Sequence, residues 1–205
     1  MYPTWVPRLW NETIEAHRRD VRVAILDTTA ALVAGQGLRS VTMAQIAERT
    51  GIGRATLYKY FPDVEAILVA WHGRHVTGHL QRLADARDTA PDPAARVVAV
   101  LTAYAHVVHE MSGQHHGAEL TALVHRDEQV AGARRHLHEL VADVLRQAVA
   151  SGGVRADVSA DELATFCLHS LAAAADLSTA GAVARLVTLT LAGLQPAAAG
   201  PPGPR

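Results

Sequence analysis

Residues Val41–Phe61 read VTMAQIAERTGIGRATLYKYF. The spacing predicts two short helices joined by a glycine turn. Thr42 and Gln45 have the S/T-x-x-E/Q spacing of a capping box, in which each residue satisfies a backbone N–H that a helix start leaves unpaired. Val41 and Ile46 occupy the two positions of a hydrophobic staple around that cap. Gly51 is placed to stop the first helix in a left-handed turn. Gly53 opens the second helix, Arg54–Tyr60, where Leu57 and Phe61 lie four apart and face inward. Arg54, Thr56, Tyr58, Lys59 and Tyr60 remain to face outward or sideways.

Those outward groups suit a nucleic-acid groove. Arginine can bond guanine O6 and N7 together, and threonine can meet a phosphate, a base edge or a thymine methyl. Tyrosine hydroxyls donate to phosphate oxygens. Lys59 is the only lysine in the chain, against 18 arginines, and it falls in this helix. Periodicity alone fits a helix pair with a merely solvated polar face equally well.

Over roughly residues 18–70 the chain resembles the DNA-binding domain of TetR/AcrR-type transcriptional regulators. The matching features are a first helix ending at Gly35-Gln36-Gly37, the motif above, and a helix capped by Asp63. The resemblance implies that Thr42 anchors the first motif helix at a phosphate. It also implies that Arg54, Ala55, Thr56, Tyr58, Lys59 and Tyr60 lie on the recognition helix. One position departs from the pattern. The family usually carries Lys at the start of the helix after the motif, contacting DNA backbone, and here that residue is Val64.

Apolar content of 49% suffices for a sizeable core, and the dominance of alanine and leucine favours helices. Runs of alternating β-branched residues are absent, so the expected fold is all-α, with about nine helices. The net charge of −1 hides an asymmetry. Residues 1–63 hold eight Arg/Lys and six Asp/Glu, net +2, whereas residues 64–205 hold eleven and fourteen, net −3. The basic excess goes with the DNA reader. The single cysteine, Cys167, excludes a disulfide framework within one chain and is expected as a buried, inert thiol. No signal peptide or membrane span is expected, so a cytoplasmic location follows by default.

The expected organisation is an arm over 1–12, a helix-turn-helix DNA-binding domain over 13–63, an effector-binding and dimerisation domain over 64–195, and a disordered tail over 196–205. The arm carries Trp5 and Trp10, which either touch DNA together with Arg8 or pack on the protein. The first helix is expected from Thr13 to Ala34, with Arg18, Arg19 and Arg22 on a basic face that either reaches phosphates or is solvated. Asp92-Pro93 is a cap and first-turn pair for a helix to Met111. A short helix is expected near Gly117–His125, then one from Asp127 to Ser151 closed by Gly152-Gly153. Ser159 and Glu162 form a second capping box, opening a helix to about Asp176, and a last helix runs over Thr179–Leu194.

Between Leu163 and Leu194 only Asp176 and Arg185 are ionised. Two such apolar helices at the end of a chain this size need a cover, which a second copy can supply as a four-helix bundle. The resemblance points the same way, since TetR-like proteins usually dimerise through their last two long helices.

Twelve histidines are many for this length, and all but His17 follow residue 71. His72, Tyr104, His109 and His169 are the expected polar lining of an effector pocket, with Leu68, Leu101, Val108 and Leu120 as apolar wall. The alternative is a metal-sensing regulator using two or three of His72, His75, His109, His115 and His116. No H-E-x-x-H motif is present, and G-x-S-x-G, P-loop and dinucleotide glycine patterns are missing too, so no enzyme and no cofactor are expected. Cys167 and His169 stand two apart, on different faces of a helix. The reading is a DNA-binding, ligand-responsive regulator. It is expected to be a repressor that holds a palindromic operator as a homodimer and leaves it for a small-molecule effector.

Overall fold

The computed structural model describes residues 7–112 and 128–196, with side chains over 13–111 and 131–196. Among these residues there are eight α-helices and no strand. They are α1 (Pro7–Gln36), α2 (Met43–Thr50), α3 (Arg54–Tyr60), α4 (Val64–Thr89), α5 (Pro93–Ser112), α6 (Glu128–Ala150), α7 (Ala160–Ala172) and α8 (Ala180–Ala192). The helix expected near Gly117–His125 and the tail from Ala197 lie outside the described residues.

The chain forms two compact units, divided within α4 between His75 and Val76. In the N-terminal unit, Ile25 and Leu26 of α1 pack with Ile46 and Ala47 of α2, Leu57 and Phe61 around α3, and Ile67 and Trp71 of α4. The helix ends explain why three short segments turn so sharply. Thr42 and Gln45 form the expected capping box: the Gln45 N–H donates to Thr42 Oγ1 at 3.3 Å, and the Thr42 N–H donates to Gln45 Oε1 at 2.9 Å. Val41 and Ile46 are both buried beside it, as a staple requires. Gly51 has φ 70°, in the left-handed region. Its N–H donates to Glu48 O, and the Ile52 N–H reaches back to Ala47 O, which is the Schellman pattern. The first helix begins at Pro7, six residues before the expected Thr13.

In the C-terminal unit, α5 to α8 pack with the end of α4 around Leu83, Leu101, Val141, Leu145, Cys167 and Leu171. Asp92 caps α5 by accepting the Ala95 N–H at 2.8 Å. α6 ends in a second Schellman turn at Gly152, whose φ is 77°. The Ser159–Glu162 capping box starts α7. α7 is shorter than expected, because residues Ala173–Asp176 tighten into a 3-10 turn. The Arg155 N–H donates to Leu194 O at 2.9 Å, and its guanidinium lies 3.4 Å from Gly193 O. These bonds satisfy carbonyls that the end of α8 leaves open. No described helix is long and apolar enough to cross a membrane.

Gly51→Ala forces a Cβ into a left-handed backbone, although open space surrounds the site. We expect it to lower the unfolding free energy by about 1–2 kcal/mol in urea titration, with no change in helix content of the folded state.

Candidate nucleic-acid interface

α3 is anchored by one face and open on the rest. Leu57 is fully buried and Phe61, just past the helix, is 4% exposed. At 3.6 residues per turn, Ala55 and Lys59 then point away from the core. Arg54, Ala55, Thr56, Tyr58 and Lys59 are all exposed, and Tyr60 is half-buried. The structure thus brings all six expected recognition-helix residues onto one short element. Thr42 is exposed at the start of α2, with its hydroxyl engaged in the capping box. Val64 is half-buried and packs on the N-terminal core, so it offers no charge to a phosphate.

The arginines on α1 separate into distinct roles. Arg22 stacks over the Phe61 ring, with its guanidinium carbon 4.6 Å from the ring centroid. Arg18 pairs with Glu15 at 2.9 Å, and Arg19 is exposed. A surface cleft of about 520 Å³ runs beside this helix. One wall comes from Thr13, Ile14, His17, Arg18 and Val21, and the other from Ile52, Thr56 and Tyr60. Sequence reasoning missed this cleft, although Ile14, Arg18 and Val21 already stood on one helical face in the sequence.

The expected effector residues fall in both units. His72 is half-buried on the N-terminal side of the division in α4, and Leu68 near it is fully buried. In the C-terminal unit Leu101 is core and Tyr104 is half-buried, where burial pushes its phenol up. His109 Nδ1 lies 3.3 Å from the Ala174 carbonyl oxygen. His169 is exposed, and its Nδ1 bonds the Thr165 carbonyl of its own helix at 2.8 Å. Arg82 donates twice to Glu110, at 2.6 and 3.0 Å, and holds that carboxyl below its ordinary range. Among the described residues no three His, Cys, Asp or Glu side chains gather closely enough to hold a metal ion. His115, His116 and Leu120 lie outside those residues.

A helix-turn-helix with an exposed, basic second helix defines the N-terminal unit as a DNA-binding module. Residues 25–71 match the family model described as bacterial regulatory proteins, tetR family, and residues 92–196 match the SbtR-like transcriptional regulator C-terminal domain. The chain belongs to the TetR family of transcriptional regulators. It is 32% identical over 151 residues to an uncharacterised HTH-type transcriptional regulator of Mycobacterium tuberculosis, covering 74% of this chain and 78% of that one. Over 57 residues, 28% of each chain, it is 40% identical to the HTH-type transcriptional repressor KstR of Mycolicibacterium smegmatis. Its fold resembles that of a TetR/AcrR-family regulator from Thermobifida fusca, with a TM-score of 0.72 at 20% identity, covering 85% of this chain and 98% of that one.

Cys167 is fully buried, and burial pushes its thiol up to about 12. Only about one molecule in ten thousand then carries a thiolate at pH 8. We expect Cys167 in the folded protein to resist a disulfide-exchange reagent at pH 8 and to react stoichiometrically once denaturant is added.

Proposed function

We propose that this regulator is a cytoplasmic repressor that holds a palindromic operator as a homodimer and leaves it when a small organic effector binds. The observation that carries the reading is the division of α3 into a buried edge, Leu57 and Phe61, and an exposed arc of Arg54, Ala55, Thr56, Tyr58 and Lys59. The buried edge fixes the roll of the helix, so the arc is presented as a fixed pattern of donors. In the major groove Arg54 reads a guanine edge, while Tyr58, Lys59 and the Thr42 end of α2 hold phosphates. A two-fold dimer presents two such helices to half-sites one or more helical turns apart.

Support for the homodimer comes from α7 and α8. Leu189 is 71% exposed and Phe166 45%, and Ala172, Ala173, Ala184 and Ala192 are exposed as well. A Cβ built on Gly193 comes within 3.3 Å of the Phe166 ring, so glycine there lets the two helices bring an apolar surface together. Lone exposed leucines are ordinary on a monomer, but an exposed aromatic, a leucine and several alanines on two elements that carry only Asp176 and Arg185 as charges between Leu163 and Leu194 favour a partner. The effector is assigned to the C-terminal unit, where Tyr104 and His109 of α5 put polar groups beside apolar Leu101 and Val108. A ligand that binds the DNA-free arrangement of the dimer better than the DNA-bound one shifts the population away from the operator.

DNA binding is testable on the duplex that the wild-type chain enriches from a randomised pool. Tyr58→Ala and Lys59→Ala are each expected to weaken binding by about 1–3 kcal/mol with an unchanged circular dichroism spectrum. Wild-type affinity in both variants removes α3 from the interface. Leu189→Arg is expected to raise the monomer fraction in sedimentation equilibrium, because it places a charge in the proposed apolar contact. If charges introduced at Leu189, Ala173 and Phe166 all leave the dimer intact, the contact lies elsewhere.

A further inference from the structure

The exposed face of α7 carries one titratable group in the middle of its apolar stretch. Phe166, His169 and Ala172 follow one another at three-residue steps, and all three are exposed. Residues three apart are neighbours on a helix surface. A second copy that covers both Phe166 and Ala172 therefore covers His169, which stands between them.

The hydrogen bonds at Thr165 fix where the proton of His169 sits. Thr165 bonds two imidazoles, one through its hydroxyl and one through its carbonyl. Its hydroxyl has a single proton, which goes to Asp161 O at 3.0 Å. His138 Nε2 of α6, 3.2 Å from the same hydroxyl oxygen, is then the donor to it. His169 Nδ1 is 2.8 Å from Thr165 O, a carbonyl that only accepts, so Nδ1 carries the proton there. The neutral ring of His169 keeps its lone pair on Nε2, and a further proton at that atom makes it a cation.

No carboxylate on α7 stands within a turn of His169 to balance that charge. Glu162 and Asp176 are seven residues away and Asp161 is eight, which is about 10 Å or more along the axis. Glu162 is held by Ser159 in the capping box, and Asp161 lies 3.9 Å from Arg146 of α6. α6 also carries Arg135, His138 and Glu139 along the stretch that packs on α7, and α8 carries Arg185. α5 packs on the buried side of α7, where its His109 reaches Ala174 O.

We propose that His169 makes the homodimer acid-sensitive: two copies join while this imidazole is neutral and separate as it takes up its second proton. A neutral ring can be covered by an apolar partner, whereas an imidazolium covered without a counter-charge is costly. His169 of the free protomer is open to water and binds that proton more readily than His169 under a partner. Association then releases protons, so the dimer strengthens as pH rises and weakens as it falls. Two-fold symmetry puts two copies of His169 in the contact, so up to two protons leave per dimer. An ordinary imidazole titrates near pH 6.5, which places the change between about pH 5.5 and about pH 7.5, above the carboxylates and below the arginines. Acid would then loosen the two-headed hold on an operator without any ligand.

The inference rests on the homodimer reading, and the test keeps the two apart. The full chain is followed by sedimentation equilibrium at about pH 7.5 and about pH 5.5, with circular dichroism at each pH to show that it stays folded. The dimer dissociation constant is expected to rise about 10- to 100-fold at the lower pH, the upper figure corresponding to two fully excluded protons. His169→Gln is expected to dimerise with a change of less than about 3-fold over the same interval, and His169→Arg to dimerise weakly at both values. His138→Gln is expected to keep the wild-type dependence. His169 is exposed in the protomer, so neither change there threatens the fold. A wild-type dimer with the same dissociation constant at both values overturns the inference, and so does a full dependence that survives in His169→Gln. A chain already monomeric at the higher pH overturns the homodimer reading itself.

Discussion

The packing of Leu57 and Phe61 against Ile25, Ile46 and Ile67 is the constraint on which the DNA-binding surface depends. α3 is only seven residues long, too short to be stable by itself, because the nucleation cost of a helix is recovered only over several turns. Tertiary burial supplies the missing stability and also sets the helix's rotation. Replacing buried leucines in well-packed cores costs about 2–5 kcal/mol, enough to release a helix of this length altogether. The capping box at Thr42 and the left-handed turn at Gly51 set the angle at which α2 hands over to α3. Arg22 over the Phe61 ring adds a lid to the same contact from α1.

The C-terminal unit is organised on a different principle. Its core is large and aliphatic, and its helices are long enough to bury one stripe and leave another free. The 3-10 turn after α7 is stitched from outside by His109, whose ring reaches Ala174 O from α5. A break in a helix thus becomes a place where a polar side chain from a neighbour is needed. That arrangement makes His109 a structural tie as well as a candidate ligand group.

Features carried by neighbouring residues were legible in the sequence. Both capping boxes, the Asp92-Pro93 start and the Gly51 and Gly152 stops follow from backbone groups that must be satisfied within a few residues. The inward pair Leu57 and Phe61 was legible for the same reason. Residues 7–12 were read as part of an arm, yet they are helical and continue into α1. The cleft was not legible, because it depends on α1 lying beside α3, about forty residues apart in the chain. His169 illustrates the same limit. It stands three and four residues from the exposed Phe166 and Thr165, and its side chain turns back to Thr165 O on the exposed face of α7.

Lys59 has a consequence beyond its role as one cation among several. As the chain's sole lysine, it carries the only side-chain amine, and it sits exposed on the face of α3. Amine-directed chemistry, whether a laboratory acylating reagent or enzymatic acetylation, therefore finds one side-chain target, in the middle of the surface proposed to bind DNA. Acylation there removes a positive charge from a unit whose basic excess is small. In most proteins such modification is spread over many sites and blurs into a general loss of charge. In this one it falls on a single side chain, and covalent coupling through side-chain amines would attach the protein by the surface proposed to meet DNA.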